Sequence, residues 1–179
     1  MYIPTHLPLL VLSLFTPVIT SSPVLATRDA SAVKTDLAKI ATDLDTLTTA
    51  VNDFTGGLTA ALAIQTKEQA VENDIDKATT DTNAASAFTG AESSAITTAL
   101  LGLEPNIDSS LGALVSKKSL FVSAGVDSVV QLDLQNLKTK TDTLSTALQK
   151  KVTAADKATI ASKTVELDAA FESALAAFS

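Results

Sequence analysis

The fold is decided by one stretch, Lys117–Lys151, with the sequence KKSLFVSAGVDSVVQLDLQNLKTKTDTLSTALQKK. Its second half repeats apolar residues at alternating intervals of four and three, with Thr141 at the remaining position: Val130, Leu134, Leu137, Leu144 and Leu148. That spacing gives one apolar stripe along a helix, as helix packing requires. Over residues 120–132 the apolar side chains point in too many directions for one stripe. A helix that is apolar nearly all round is buried on several sides, by neighbouring helices or by something that they enclose.

The same repeat predicts the first two helices. The clearest one begins near Val33, with Ser31 or Asp29 as its cap, and ends before Gly56-Gly57. A second helix is predicted from about Leu58 to Ala85. Its predicted inner side carries Leu58, Leu62, Val71 and Ile75, and its predicted outer side carries Glu68, Glu72 and Asp76.

The remaining helices follow from capping and proline signals. Thr89 and Glu92 have capping-box spacing and start a third helix, which Pro105 ends or kinks. Thr153 is the predicted cap of a final helix. No segment shows sustained period-two alternation. The predicted fold class is all-α: a single, mostly antiparallel bundle of four to five long amphipathic helices.

Residues 1–26 have the pattern of a secretory signal peptide that is removed from the mature protein. An apolar core, Leu7–Ile19, leads to Val24 and Ala26, which fit the small positions before a cleavage site. That core is too short and too interrupted by proline to span a membrane. We therefore predict an exported protein with one domain, residues 27–179.

Composition excludes most catalytic chemistry. Beyond residue 26 the chain has neither His nor Cys, so the usual nucleophile-base pairs, thiolates, disulfides and zinc or copper sites cannot form. Carboxylates fall on polar helix faces beside Lys, as solvated faces do. We predict no catalytic residue, metal site or cofactor, and no enzymatic activity. The net charge of −7 argues against nucleic acid and anionic membranes as partners.

Three separated motifs point to a known family. The pattern Lys117-Lys118-x-x-Phe121-x-x-x-Gly125-x-x-x-x-Val130-x-x-x-Leu134, with Leu103–Ile107 and Ala170–Ser179, resembles the fungal hydrophobic surface binding protein A family, which includes antigenic cell-wall galactomannoproteins. The resemblance spans about residues 32–178. It implies a secreted or wall-associated helical protein that binds apolar material. Members adsorb to hydrophobic solids, and some related domains hold a fatty acid inside the bundle.

The first hypothesis is therefore a fatty acid or other lipid bound within the helices. Gly125, in the middle of a predicted helix, costs roughly 1 kcal/mol relative to Ala, which a closely packed ligand could offset. Phe121 is the single strongest candidate. The candidate lipid-binding residues are Leu100, Leu103, Leu120, Phe121, Val126, Val129 and Leu132, and the candidate carboxylate contacts are Lys117, Lys118, Ser119 and Ser123. The alternative is that these apolar residues are ordinary core and that the lysines are solvated.

Two other hypotheses remain open. In an interfacial adhesion protein, the helices would reopen at Gly56-Gly57 and Pro105 and lay their apolar faces on a hydrophobic solid. A passive structural or antigenic cell-wall mannoprotein, or a helical secreted inhibitor, would need no small-molecule ligand.

Overall fold

The structure, a computed structural model, describes residues 23–179, with side chains from residue 29 onward. The predicted leader lies outside the described residues except for residues 23–26, which belong to the first helix. Every regular element in the described part is a helix, which confirms the all-α class. The seven helices are α1 (Pro23–Asn52), α2 (Leu58–Ala84), α3 (Gly90–Leu101), α4 (Glu104–Ser116), α5 (Lys118–Ser123), α6 (Asp127–Gln149) and α7 (Ala154–Ala177).

Five long rods form the bundle, in agreement with the predicted four to five. Four of them are α1, α2, α6 and α7, and the fifth is α3 followed by α4 in the same direction. The two parts of this fifth rod are separated at Gly102 and Leu103. Pro105 lies in the first turn of α4, where its missing N–H removes no helical hydrogen bond. The proline therefore marks a break between two helices that continue one another.

The five rods close into a ring. Around it, α1 contacts α2, α2 contacts α6, α6 contacts α7, α7 contacts α3 and α4, and these contact α1. Successive rods reverse direction along the chain. Neighbours in the ring that are two rods apart in sequence therefore run in the same direction. On α1 and α4, for example, Asp45 contacts Asn106 and Thr48 contacts Ser110, so both helices advance together.

The predicted continuous helix from Lys117 to Lys151 is wrong. The chain is helical to Ser123, turns at Gly125 with a φ of +71°, and becomes helical again at Asp127. A side chain in this left-handed conformation would clash with the backbone, so glycine is the residue that allows the turn. The apolar residues near Gly125 point in many directions because they belong to two helices, α5 and α6, with different axes.

Two details of the first helices also need correction. The α1 helix begins at Pro23, so Ser31 and Asp29 lie inside it and do not cap it. The predicted bounds of α2 are nearly correct, but Leu58 and Leu62, predicted to face inward, are 56% and 53% exposed. Glu68, predicted to face outward, is only 5% exposed. The buried stripe of α2 is therefore rotated from the predicted one.

The predicted helix starts at Thr89 and Thr153 are confirmed. The Thr89 backbone N–H donates to Glu92 Oε2 at 2.9 Å, and Glu92 N–H donates back to Thr89 Oγ1 at 3.4 Å, which completes the capping box. At α7 the Thr153 side chain accepts from the backbone N–H of Asp156.

One end of the ring, which we call the aromatic end, is closed by Phe54, Phe121 and Phe178. The Phe54 and Phe121 rings stack with centroids 4.7 Å apart, and Phe178 lies 6.3 Å from Phe121. Two lysines at this end donate hydrogen bonds to backbone carbonyls at or near the ends of other helices. Lys117 Nζ donates to the Phe54 carbonyl at 3.1 Å, and Lys118 Nζ donates to the Ala177 carbonyl. This end is filled by side chains.

Candidate functional site

A cavity of about 50 Å³, which we call the central cavity, lies within the ring. All five rods contribute to its wall, and nearly all of the wall is apolar. The apolar lining residues are Ile40, Leu44 and Leu47 of α1; Val71 and Ile75 of α2; Leu100 of α3, Leu103 between the helices, and Ile107, Leu111 and Leu114 of α4; Leu137 and Leu144 of α6; Ile160, Leu167 and Phe171 of α7.

The space follows from the number of rods and the size of the side chains. Five helices around one axis leave a wider centre than four, and only large side chains would fill it. Phe171 is the one aromatic residue among those that line the cavity, and Ser110, Thr141, Ser145 and Thr164 occupy wall positions where larger residues would close the space. The result is an apolar chamber with a few hydroxyl groups.

The hydroxyl groups form two clusters. The Ser145 and Thr164 oxygens, on α6 and α7, lie 2.5 Å apart, and Gln149 Nε2 donates to Ser145 Oγ at 3.1 Å. On the opposite wall, Ser110 Oγ lies 2.6 Å from Thr48 Oγ1. A hydroxyl carries one donor and two acceptor positions. Thr164 Oγ1 also donates to the Ile160 carbonyl at 2.9 Å, so Ser145 is the donor to Thr164. The pair keeps free acceptor positions, and it donates to a carboxylate only when Ser145 turns its hydrogen away from Thr164.

Lys163 of α7 contributes the cationic side chain of the lining. Its ammonium donates to Glu104 at 2.9 Å and to Glu166 at 2.5 Å, and the bonds to Glu166 and Glu104 raise the pKa of Lys163. Both carboxylates are partly exposed. Lys163 thus lies in the wall between the central cavity and solvent, one residue from Thr164 and beside the break between α3 and α4.

A second cavity, of about 20 Å³, lies toward the aromatic end and shares Leu47, Leu114 and Leu137 with the central cavity. Two acidic residues line it, Glu68 of α2 and Asp133 of α6. Glu68 Oε1 is buried without a hydrogen-bond partner.

The surroundings of these two acids favour their neutral forms. Burial, followed by the charges of Asp133 and Glu72, raises the pKa of Glu68 to about 9. Burial and the charge of Glu72 raise the pKa of Asp133 to about 6. At neutral pH the Glu68 side chain is therefore a neutral carboxyl group, able both to donate and to accept a hydrogen bond.

The structure separates the lipid-binding candidates predicted from sequence. Leu100 and Leu103 line the central cavity. Phe121 is 1% exposed and belongs to the aromatic end. Three further candidates, Leu120, Val126 and Val129, are half-buried, and Leu132 is 55% exposed. A lipid contact at the five candidates outside the central cavity stays a prediction.

The predicted carboxylate contacts also lie away from the central cavity. Lys117 and Lys118 donate to backbone carbonyls at the aromatic end. Ser119 and Ser123 are exposed, and Ser123 Oγ donates to the Ser119 carbonyl at 2.8 Å. Binding of a carboxylate by these four residues stays a prediction as well.

Sequence reasoning did not single out Ser145, Thr164, Lys163 or Glu68. A signal for Glu68 was present, because it occupies one position of an otherwise regular four-three repeat. That repeat consists of Ala61, Ile64, Glu68, Val71, Ile75, Ala78 and Thr82. A charged residue in such a stripe faces the core, and it marks the position as unusual.

Among residues 23–179, no group of three or more His, Cys, Asp or Glu side chains is placed to hold a metal ion. None of the helices in that range combines the length and apolar character needed to cross a membrane.

The fold and cavity define a class of protein, an all-α ring of helices around an apolar interior. The model of the family described as hydrophobic surface binding protein A matches residues 30–150. The chain belongs to this family, which confirms the resemblance seen in its sequence.

Known relatives agree with this assignment. A solved structure of the protein Afmp4p in complex with palmitic acid is 54% identical, with a TM-score of 0.83 over 84% of this chain and 99% of that one. Ligand-binding domain 1 of the Penicillium marneffei MP1 protein, complexed with arachidonic acids, is 20% identical, with a TM-score of 0.79 over 85% of this chain and 99% of that one, and shares the fold. Cell wall mannoprotein 1 of Aspergillus fumigatus is 26% identical over 132 residues. The 132 aligned residues cover 74% of this chain and 45% of the mannoprotein, so the chain spans about half of that relative's length.

Proposed function

We propose that this chain is a secreted or cell-wall-associated binding protein, and not an enzyme, which holds a long-chain fatty acid in its central cavity. The observation that carries the proposal is the apolar chamber to which all five rods contribute. The palmitic acid complex of the relative with 54% identity supports the ligand class, and the cell-wall mannoprotein supports the location. Burial of each methylene group contributes about 0.8 kcal/mol, which favours a long unbranched chain.

The fatty-acid carboxylate lies beside Ser145, Thr164 and Lys163. Two hydroxyl groups meet there at 2.5 Å, and the Lys163 ammonium is one residue away on α7. Its present partners, Glu104 and Glu166, are partly exposed and can return to water when the carboxylate takes their place. The apolar chain then runs along α6 from Ser145 toward Asp133, twelve residues or about 18 Å at 1.5 Å per residue.

The cavity must widen to take such a ligand. A cavity of about 150 Å³ suits benzene, a molecule of six carbons, and the central cavity measures about 50 Å³. Widening requires one rod to move outward. The fifth rod is the best placed to do so, because it is broken between Leu101 and Glu104 beside Lys163. We therefore expect the ligand to enter between α4 and α7.

The test is a direct titration of delipidated protein with palmitic acid, followed by calorimetry and native mass spectrometry. We expect saturable binding with a dissociation constant in the micromolar range or below, and a mass increase equal to one or a few fatty acids. Lys163→Met should weaken palmitate more than methyl palmitate, because only the acid carries the carboxylate. A delipidated protein that takes up no fatty acid would contradict the proposal.

Adsorption to hydrophobic solids is a second candidate function, favoured by exposed apolar residues in the half of the bundle near the aromatic end. Five of the six large apolar residues that are exposed in the described part of the chain lie there, Leu58, Leu62, Val115, Val122 and Leu132, and the sixth, Val165, lies in the middle of α7. Exposed apolar residues grouped at one end are typical of interaction surfaces. Leu132, predicted as a lipid contact, fits this role through its exposure. Depletion of the protein from solution by polystyrene beads should decrease in the double variant Leu58→Ser, Leu62→Ser, while palmitate binding is retained.

A further inference from the structure

We propose that Glu68 forms a hydroxyl-binding subsite at the far end of the central cavity, so that the protein prefers a long-chain fatty acid that also carries a hydroxyl group at its methyl end. The inference rests on the proposed function, because the fatty acid must first occupy the central cavity. It names a more specific ligand class for that same site.

The first argument is the position and size of the second cavity. It continues the central cavity toward the aromatic end, with Leu47, Leu114 and Leu137 in both walls. Its volume of about 20 Å³ suits one group of the size of a water molecule, which needs about 10–15 Å³. A terminal hydroxyl group is of that size, and it is joined to an apolar chain that fits the rest of the interior.

The second argument is the unsatisfied carboxyl oxygen. Glu68 is 5% exposed, and its Oε1 has no hydrogen-bond partner among the described residues. A buried polar atom without a partner costs about 1–3 kcal/mol. The hydroxyl of a ligand would donate to this oxygen, whereas a methyl group would leave it unpaired. The protein therefore gains more from the hydroxylated chain than from the plain one.

The third argument is the charge of the surroundings, which favours a neutral group over an ion. Asp133 on α6 and Glu72 on α2 face Glu68, and Lys140 on α6 is already paired with Asp76 at 2.5 Å. Burial raises the pKa of Glu68 to about 9, so at neutral pH its carboxyl carries no charge to balance a buried ammonium. A second carboxylate would be repelled by Asp133. A hydroxyl both donates and accepts, as the neutral carboxyl does.

The fourth argument is distance. The hydroxyl pair at Ser145 and the acid at Asp133 are about 18 Å apart along α6, at 1.5 Å per residue. This separation is comparable to the length of an extended chain of about sixteen carbons. A ligand whose carboxylate lies at Ser145 therefore places its methyl end near Glu68, which sets the position of the hydroxyl on the chain.

The experiment compares hexadecanoic acid with 16-hydroxyhexadecanoic acid, each titrated into delipidated full-length protein at pH 7. An added hydroxyl weakens binding to a purely apolar pocket. We expect the opposite here, about ten-fold tighter binding of the hydroxy acid, which corresponds to about 1.4 kcal/mol. Glu68→Leu should reverse this preference, and Glu68→Gln, which keeps a donor and an acceptor, should retain most of it. Glu172→Gln, at an exposed position on α7 outside both cavity linings, is the matched control and should leave the preference unchanged.

A further probe needs no variant. In 16-methoxyhexadecanoic acid the donor to Glu68 Oε1 is lost, and the added methyl group exceeds a cavity of about 20 Å³, so the gain in affinity should disappear in the wild-type protein even though the ether oxygen can still accept. Equal or weaker binding of the hydroxy acid, or a preference that persists in Glu68→Leu or with the methoxy acid, would overturn the inference while palmitate still binds. If neither acid binds, the proposed function fails, and this inference fails with it.

Discussion

The aromatic end and the central cavity are built from the same helices, and yet one is filled and the other is hollow. At the aromatic end, Phe54, Phe121 and Phe178 pack against one another. In the central cavity the corresponding space is bordered by Leu and Ile side chains and by the small hydroxyl residues Ser145 and Thr164. Hydrophobicity does not distinguish the two regions, but side-chain volume does. A site for an apolar ligand thus lies where the inward residues are too small to meet.

The comparison predicts that the aromatic end contributes mainly to the free energy of unfolding. Phe121→Ala should lower the free energy of unfolding by about 3–5 kcal/mol, because a fully buried ring is removed from a packed cluster. Urea unfolding followed by circular dichroism measures this change. Val122→Ala, at the exposed neighbouring position, is the control and should change stability by less than about 0.5 kcal/mol. A loss below about 1 kcal/mol in Phe121→Ala would mean that this end is not a packed core.

Between the two regions, Glu68 and Asp133 predict a dependence of stability on pH. Folding raises the pKa of Glu68 from 4.5 to about 9, and that of Asp133 from 3.8 to about 6. Within those ranges the folded protein holds protons that the unfolded chain releases, so the free energy of unfolding falls as pH rises. Each pH unit is worth at most 1.36 kcal/mol per group, so the two shifts set an upper limit of about 6 kcal/mol on the decrease between pH 5 and pH 9. We expect a measured decrease of roughly 2–3 kcal/mol, because a buried carboxylate that ionises is partly solvated by relaxation and water entry.

Urea unfolding at a series of pH values tests this dependence. Glu68→Gln removes the main titrating group and should flatten the curve above pH 6. Glu172→Gln, an exposed position on α7, should leave the curve unchanged. A wild-type stability that rises with pH in this range would show that Glu68 is ionised in the folded protein.

Filling the central cavity should affect binding more than folding. Leu111→Phe adds volume to the wall and should weaken palmitate binding about ten-fold or more, since the ligand and the ring compete for the same space. Overpacking costs about 1–3 kcal/mol of stability, so the variant should remain folded. Leu62→Phe makes the same substitution at an exposed position and should bind palmitate as the wild type does. Undiminished binding in folded Leu111→Phe would place the ligand elsewhere.

The smallest predicted effect concerns the hydroxyl groups of the wall. Ser145→Ala removes one hydrogen bond to the fatty-acid carboxylate and should weaken palmitate about five-fold, the equivalent of about 1 kcal/mol. Methyl palmitate, which lacks the charged group, should be affected less. Ser162→Ala, an exposed serine on α7, is the control. Calorimetric titration of both ligands separates a carboxylate contact from a general change in the cavity.

The helices were predictable because the signals that define them are local. The four-three repeats of α1 and α6, the Thr89 capping box and the position of Pro105 each depend on a few neighbouring residues, and the structure follows all three. Gly125 was misplaced for the opposite reason. A glycine inside an apolar run is compatible with either a helix or a turn, and packing of α5 against α6 decides between them.

The binding site was harder to predict than the fold. Leu100 and Leu103 were identified as candidates and line the central cavity, whereas Phe121 closes the aromatic end. A sequence shows that a residue is apolar and faces inward, but not whether its neighbours across the ring reach it. Glu68 shows the same limit for a residue that was not selected from the sequence. Its place in the buried repeat was visible, but the cavity beside it depends on Asp133, 65 positions later in the chain.

The sequence by itself determined the all-α class, a range of four to five long rods and the family, because helix periodicity and family motifs are properties of the chain alone. Only the tertiary structure decided that the five rods close into a ring, with α2 beside α6 and α4 beside α7. It also decided which inward residues meet and which leave a space. The physical reason is that each apolar stripe requires burial but does not specify its partner. The partner follows from how all five stripes can be buried together, and in this protein that arrangement leaves room for a ligand.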